Sequence, residues 1–383
     1  MTPRDVPSAA PNSTTPLDVL LDIHRMRQYF GAILMVREMA GVLRQDATFL
    51  DAVRRTVLPL PTDGRPQPVN PFPPGPGRAL PTPQVPPGRL AVVASGGSGA
   101  TACLVGVARA LEEAGRRPDV YSVCSGSALF GFPLAAGLSA SEVADLVLDL
   151  RPRACVDVAW RSLLTVPLNL GRGFTGLLHG DRVEAHFRRH LGNRTLGDLP
   201  TPVYAPIWSV EHNRLEYLGP RTHPDLPVAR AIRLAISMPL FFMPVELDGE
   251  HWCDGGIVDI LPVRPVLDIE PPCETAIAVN VFHPPGFAGE DATGWHAQRA
   301  SILRAASQIR TSQHIALARE NLARLRASCH TVLVEPVSYQ EVRGAGFYQQ
   351  FIDTAQWPQF MSAGHEATRQ ALQQVPASRA GRR

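Results

Sequence analysis

The chain of 383 residues contains no lysine, and all 37 of its basic residues are arginine. This absence excludes a Schiff-base lysine, a pyridoxal anchor and the lysine of a P-loop. Apolar runs stay shorter than the roughly 18 residues that a membrane-spanning helix needs, and the first residues lack a signal-peptide pattern. We therefore expect no transmembrane segment and a cytoplasmic location, with peripheral contact at a membrane left open.

Metal-binding and cofactor-binding patterns are also missing. The six cysteines form no C-x-x-C pair and no Cys/His cluster with zinc spacing, and no acidic loop repeats calcium ligands. No cofactor and no metal are predicted. A formal net charge of +2 gives no reason to expect a nucleic-acid partner. Cys103, Cys124 and Cys253 lie in apolar runs, which is typical of buried free thiols in a reducing compartment.

Composition divides the chain into four regions. Residues 1–58 are predicted to form an N-terminal helical extension with a disordered start, because apolar residues recur there at helical spacing. A hairpin of helices packed on the main domain is favoured over a segment for a membrane or a partner. Residues 59–89 contain twelve prolines and read as a linker. Residues 90–375 form the main domain, and 376–383 a flexible tail.

The main domain begins with alternating strands and helices. Such alternation predicts an α/β fold with a parallel sheet and right-handed crossovers. A capping box, Ser139 with Glu142, predicts a further helix start. Beyond a strand pair, residues 151–225 look irregular. The expected strands are 90–94, 120–123, 203–210, 214–218, 241–247, 251–253, 274–282 and 331–334, and the expected helices are 100–114, 126–136, 139–150, 227–237, 297–327 and 357–373.

Ser125 lies where a short apolar strand is predicted to turn sharply into a helix. A serine at the apex of such a turn holds its hydroxyl out of the sheet, within reach of a substrate carbonyl. The small residues Gly126, Ser127 and Ala128 suit a cramped turn. A structural interpretation is equally open at this point, because serine is also a common helix N-cap.

Two glycine-rich stretches supply what such a serine needs. Ser95-Gly-Gly-Ser-Gly99 follows a predicted strand, and its consecutive glycines let backbone amides point into one concavity that can hold an oxyanion. Asp254-Gly-Gly256 offers a carboxylate whose following glycines allow the chain to bend sharply. Taken singly, the first could be a plain tight turn and the second an ordinary Asp-Gly turn.

No histidine has a context that suggests a Ser–His–Asp triad. His251 is the nearest to Asp254 in sequence, but in an extended segment their side chains point to opposite faces. A carboxylate base would need burial or a direct hydrogen bond to compensate for its ordinary pKa, which is about 3.9.

Taken together, the order of these motifs resembles that of the patatin-like phospholipase family, in its bacterial type. The similarity covers about residues 90–335, including the helix that follows the glycine-rich turn, Ala235-Ile-Ser-Met-Pro239 and Trp252-Cys-Asp-Gly-Gly-Ile-Val-Asp-Ile-Leu-Pro262. The resemblance implies a patatin-like three-layer α/β fold, in which a mainly parallel central sheet is flanked by helices.

The resemblance also implies a serine acyl hydrolase that works through a Ser–Asp dyad and an acyl-enzyme. Ser125 would be the nucleophile and Asp254 the base, and the substrate a lipid or another acyl ester. The oxyanion hole would be formed by the backbone amides of Gly96, Gly97, Ser98 and Gly99.

The chain departs from the family's glycine patterns. In G-G-G-x-R-G, Ser98, Ala100 and Thr101 replace the third glycine, the arginine and the last glycine; in G-x-S-x-G, Val123 and Ser127 replace both glycines. Loss of one oxyanion donor typically costs about 10²–10³ in rate. A patatin-like protein that binds lipid or a partner with weak or no hydrolysis is therefore the alternative, and a water-soluble esterase or thioesterase is a third hypothesis.

Overall fold

The computed structural model describes residues 68–72, 85–150, 156–168, 173–282, 302–338, 350 and 354–374. The predicted N-terminal extension, most of the linker and the predicted tail lie outside these residues. Within the described part, no helix is both long enough and apolar enough to cross a bilayer.

Eight strands of the described residues form one sheet. They are β1 (Leu90–Ala94), β2 (Val120–Val123), β3 (Val203–Ser209), β4 (Arg214–Leu218), β5 (Val245–Leu247), β6 (Glu250–Asp254), β7 (Thr275–Val279) and β8 (His330–Val334). The order is β5-β6-β3-β2-β1-β7-β8, with β4 paired to β3. The pairs from β3 through β2, β1 and β7 to β8 are parallel, and those that join β4, β5 and β6 are antiparallel. The prediction of a mainly parallel sheet is confirmed.

Helices cover both faces of this sheet. They are α1 (Cys103–Glu113), α2 (Ala128–Ala135), α3 (Ala140–Leu148), α4 (Trp160–Leu168), α5 (Asp181–Leu191), α6 (Val228–Ala235), α7 (Arg264–Leu267), α8 (Ile302–Ser328) and α9 (Trp357–Gln373). Ser139 caps α3 as predicted, with its hydroxyl accepting from the Glu142 amide.

The alternation of side chains along β1 divides the core into two layers. Leu90 and Val92 pack in a cluster with residues of α1, α2, α3 and α9. Ala91 and Val93 face the other way and pack with residues of α7 and α8. Every residue of β1 is buried, as expected for a parallel strand covered on both faces. The domain therefore has the predicted three layers.

The expectation of an irregular segment at 151–225 is wrong for α4 and α5. The α5 sequence, DRVEAHFRRHL, is dominated by charged residues and histidine. Its apolar residues Val183, Phe187 and Leu191 recur every fourth position and are buried, so one narrow stripe holds the helix to the core. Packing against α6, rather than composition, stabilises it.

The described cysteines are all free, and Cys103, Cys124 and Cys253 are buried as predicted. Burial raises the pKa of the Cys253 thiol to about 11. A buried thiol that is protonated at neutral pH is a packing group and not a nucleophile.

Candidate active site

The backbone at Ser125 is left-handed. Cys124 is still extended, Ser125 has a φ of +51°, and a short 3-10 turn then leads into α2. Positive φ is uncommon for residues other than glycine, and such strain is concentrated at functional sites. The predicted sharp turn is therefore present. Ser125 lies at its apex and is 9% exposed.

Ser127 and Gly131 explain how this turn forms without the two family glycines. The Ser127 hydroxyl accepts a hydrogen bond from the Cys124 amide and donates one to the Cys124 carbonyl, each at 2.8 Å, which closes the turn. Val123 packs directly against Gly131 of α2: a β-carbon placed on Gly131 would lie 2.5 Å from Val123 Cγ1. The close approach that the turn requires is thus supplied by a glycine on the helix.

Gly126 brings the serine turn against the glycine-rich turn. A β-carbon at this position would lie 2.7 Å from the Gly97 carbonyl oxygen and 2.9 Å from Thr101 Oγ1. The sequence analysis did not select Gly126 as an oxyanion donor. Its place directly after Ser125 was the available signal, because the amide that follows the serine of a nucleophile elbow is a usual oxyanion donor.

The four residues predicted for the oxyanion hole have different environments. The Gly96 amide donates to the Ile260 carbonyl at 2.8 Å, so it is already engaged. The Ser98 hydroxyl donates to the side-chain oxygen of buried Gln350. Gly99 packs against the Gln350 carbonyl and the Trp357 indole. Within the described part of the chain, the amides of Gly97 and Ser98 have no backbone acceptor.

Asp254 ends β6 with a buried carboxylate, 2% exposed. The carboxylate accepts a hydrogen bond from the Gly256 amide at 2.8 Å, and the neighbouring Ser125 side chain stabilises its charged form. Burial raises the pKa of the Asp254 carboxyl from its ordinary 3.8 to about 7, although both of these interactions lower it. The group is therefore poised to exchange a proton near neutral pH.

The glycines after Asp254 are needed for space. A β-carbon on Gly255 would lie 2.5 Å from the backbone of Pro206, and one on Gly256 would lie 2.8 Å from Cys124 Sγ. Neither glycine has a positive φ. The Asp254 loop can therefore press against both β3 and the serine turn, as the sequence pattern suggested.

Pairing with β3 brings the two side chains together. β2 runs parallel to β3 and pairs with its start, so Ser122 lies opposite Tyr204. β6 runs antiparallel and pairs with the end of β3, so Asp254 lies opposite Ile207. The carboxyl ends of β2 and β6 therefore point towards each other and meet at the level of Pro206.

A buried arginine supports this arrangement from α6. The Arg233 guanidinium donates to the Ser237 hydroxyl and to the carbonyls of His179 and Met243. The Ser237 carbonyl in turn accepts from the Asp254 amide at 3.0 Å. Arg233 thus fixes the segment that holds the Asp254 backbone.

Asp259 is a second buried carboxylate that the sequence analysis did not select. It accepts hydrogen bonds from the Tyr217 hydroxyl at 2.6 Å and from the Asn321 amide at 2.9 Å. Its carbonyl accepts from Cys124 Sγ at 3.4 Å. These contacts connect the loop after Asp254 to the serine turn and to α8. Asp259 therefore stabilises the position of that loop.

Among the described histidines, none is a hydrogen-bond partner of the Asp254 carboxylate, which interacts with Ser125 and Gly256. The His251 ring is exposed and its Nδ1 lies 2.7 Å from Glu211 Oε1. The prediction that His251 and Asp254 face opposite ways is confirmed.

Among the described residues, one group could hold a metal ion, and it includes neither Ser125 nor Asp254. The ligand atoms of Asp149, His186 and His190 lie within 4.8 Å of one another. The Arg189 guanidinium lies 3.5 Å from His186 Nδ1, and its charge opposes a cation there.

The fold and these contacts define a class: a three-layer α/β protein with a strained serine turn and an aspartate buried beside it. Residues 92–267 match the model of the patatin-like phospholipase family. The predicted resemblance to this family is therefore confirmed over these residues. The match supports lipid acyl hydrolase activity in general.

Two relatives illustrate the similarity in sequence. The Bacillus subtilis protein YqhO is 28% identical over 204 residues, which are 46% of this chain and 69% of that protein. The Mycobacterium tuberculosis NTE family protein Rv1063c is 25% identical over 194 residues, which are 50% of this chain and 49% of that protein. The chain thus spans about two thirds of the first relative and half of the second.

Solved structures include two similar proteins. VipD from Legionella pneumophila superposes with a TM-score of 0.44 and 16% identity, covering 75% of this chain and 67% of VipD. The type III effector ExoU superposes with a TM-score of 0.37 and 17% identity, covering 76% of this chain and 53% of ExoU.

Proposed function

We propose that the chain is a serine-dependent lipid acyl hydrolase, a phospholipase or esterase in which Ser125 is the nucleophile and Asp254 the base. The observation that carries the proposal is the contact between a hydroxyl on a strained turn and a buried carboxylate with a pKa near 7. A base works best when its pKa is close to the working pH.

The first half of the reaction forms an acyl-enzyme. Ser125 Oγ attacks the ester carbonyl carbon while its proton passes to the Asp254 carboxylate, and the carbonyl oxygen becomes an oxyanion. The tetrahedral intermediate then collapses. The bond to the alcohol oxygen breaks, Asp254 returns the proton to that oxygen, and the acyl group stays on Ser125.

Water completes the cycle. Asp254 accepts a proton from a water molecule, whose oxygen attacks the acyl carbon, and the bond to Ser125 Oγ breaks as the proton returns to it. The products are a carboxylic acid and the free serine.

Three amides are proposed as oxyanion donors: those of Gly97, Ser98 and Gly126. The close approach of Gly126 to the Gly97 carbonyl supports their common position beside Ser125. The Gly96 amide is omitted because Ile260 engages it. Gly99 is omitted too, because it packs against Gln350 and Trp357.

Labelling by a fluorophosphonate and hydrolysis of a dissolved short-chain ester test the dyad. Ser125→Ala should abolish labelling and lower kcat by at least about 10⁴-fold. Asp254→Asn should lower kcat by about 10²- to 10⁴-fold. Matched controls are Ser362→Ala on α9 and Asp248→Asn in the β5–β6 hairpin. Labelling that persists in Ser125→Ala would place the nucleophile elsewhere.

The alternative, a binding protein with weak or no turnover, is favoured by the occupied Gly96 amide and the replaced glycines. It predicts that the wild-type chain binds lipid but hydrolyses no ester across a series of acyl lengths. A soluble esterase or thioesterase predicts hydrolysis of the same series with no gain when the ester is part of a lipid surface.

A further inference from the structure

Three short segments of the chain lie side by side next to α4. The segment 176–179 lies between residues 157–159, which lead into α4, and residues 240–243. Backbone hydrogen bonds join them: the Ala159 amide donates to the Leu177 carbonyl at 2.8 Å, and the Leu177 amide donates to the Leu240 carbonyl at 3.2 Å. Hydrogen-bonded strands lie about 4.8 Å apart, so the two outer segments are separated by about 10 Å.

Large apolar residues are exposed on α4, which follows residues 157–159, and on the segment 240–243. Trp160 is 64% exposed, Leu164 56% and Leu240 48%. Trp160 and Leu164 are four residues apart on α4 and therefore share one face of that helix. We call these three residues the apolar rim.

Leu240 is held outward by a strained backbone. The Phe241 amide donates to the Met238 carbonyl at 3.1 Å, which closes a turn with Pro239 and Leu240 at its centre. Leu240 has a φ of +73°. With proline before it, this is the position of a type II turn that usually requires glycine. A leucine that keeps this conformation while half exposed points to a role for its side chain.

The rim adjoins the candidate active site along the chain. Leu240 follows Ser237 by three residues, and the Ser237 carbonyl accepts from the Asp254 amide. The segment that carries Leu240 is therefore also the segment that holds the Asp254 backbone.

We propose that the apolar rim docks on a phospholipid surface and presents the dyad to esters in that surface; this rests on the function proposed above. A tryptophan, two leucines and the exposed Arg161 match the composition of surfaces that lie at the lipid–water boundary, where the indole sits at head-group level and arginine meets phosphate. The apolar rim would thus bind the lipid surface that contains the ester substrate.

Co-sedimentation with phosphatidylcholine–phosphatidylglycerol vesicles tests the docking. The parent for these measurements is the full chain with Ser125→Ala, so that the lipid stays intact. In that background Leu240→Gly and Trp160→Ser should each weaken vesicle binding by about five- to tenfold. Val69→Ser is the matched control, because Val69 is 75% exposed and is followed by Asn70, which contacts α3. It should bind as the parent does.

Leu240→Gly should remain folded, because glycine relieves the backbone strain, and its melting temperature should be no lower than that of the parent. Weaker vesicle binding by this variant therefore cannot be attributed to unfolding. With Ser125 present, this substitution should lower the ratio of vesicle hydrolysis to dissolved-ester hydrolysis by about fivefold. Val69→Ser should leave that ratio unchanged.

Other outcomes separate the two proposals. Vesicle binding that is absent, or unchanged in both rim variants, would overturn the docking surface, whereas dissolved-ester hydrolysis would still stand for the dyad. A chain that docks through the rim but hydrolyses no ester would refute the dyad alone. Self-association lost in Leu240→Gly, without vesicle binding, would assign the rim to a second copy of the chain.

Discussion

The Ser125 side chain neighbours the Asp254 carboxylate and lowers the pKa of that carboxyl, whereas burial withdraws the carboxylate almost completely from water and raises its pKa. Ser125 lies in the turn after β2, and Asp254 is the last residue of β6. Their proximity combines a strained backbone at the serine with a carboxyl group whose pKa lies near 7. The proposed chemistry depends on both properties.

The pH dependence of hydrolysis should follow the Asp254 carboxyl. A base must be deprotonated to accept the serine proton, so kcat/KM should fall about tenfold per pH unit below an apparent pKa near 7 and level off above it. A pH–rate profile on a dissolved ester measures this. A profile that stays level down to about pH 5 would exclude Asp254 as the base.

Replacing Asp254 by asparagine should increase the free energy of unfolding at alkaline pH. Because burial raises the folded-state pKa from 3.8 to about 7, the folded protein retains a proton that the unfolded chain releases. Asp254 therefore reduces stability as pH rises through this window, and the loss is complete above about 7. Urea unfolding measures this effect, with Asp248→Asn as the control. The free energy of unfolding of Asp254→Asn, relative to that control, should increase by about 2–3 kcal/mol between about pH 5 and about pH 8.

The Val123–Gly131 contact should appear as a strong coupling. Gly131→Ala would improve helix propensity, but its β-carbon would meet Val123 at 2.5 Å, so we expect a net loss of about 1–3 kcal/mol. Val123→Ala in the same chain should recover much of the loss in stability and in hydrolysis. Additive single effects in the double-mutant cycle would contradict the direct contact.

Two glycines, Gly106 and Gly364, should be essential for the packing of α1 against α9. A β-carbon on Gly364 would lie 2.1 Å from the Cys103 carbonyl, and one on Gly106 would lie 1.9 Å from the Met361 carbonyl. Gly364→Ala should therefore cost more than about 3 kcal/mol, because backbone cannot move aside cheaply. Ser362→Ala, on the exposed side of α9, should change stability little. Thermal unfolding of both variants measures the difference in stability.

Hydrolysis should also fall in Gly364→Ala. The start of α9 carries Trp357, whose indole donates to the Gln350 carbonyl at 2.9 Å, and both groups pack on Gly99. Displacing α9 therefore disturbs the glycine-rich turn. Full activity in a variant that remains folded would show that α9 does not support the turn.

Local sequence patterns were enough to predict several features of this domain. The strands Leu90–Ala94 and Val120–Val123 and the helix Trp357–Gln373 have the predicted bounds, and the sharp turn at Ser125 is present. These features depend on residues a few positions apart: alternating apolar residues, small residues after the serine, and glycines where the backbone bends. Such information is contained in a short stretch of chain.

The way in which distant segments meet could not be predicted from local patterns and is seen in the folded structure. The pairing of β2 and β6 with the same strand, β3, brings Ser125 to Asp254, and the resulting burial sets the pKa of that carboxyl. The glycine that accommodates Val123 lies on α2, the Gly96 amide is taken by Ile260, and α5 is a helix because its one apolar stripe is buried. Each of these depends on contacts between residues far apart in sequence, which no local pattern specifies.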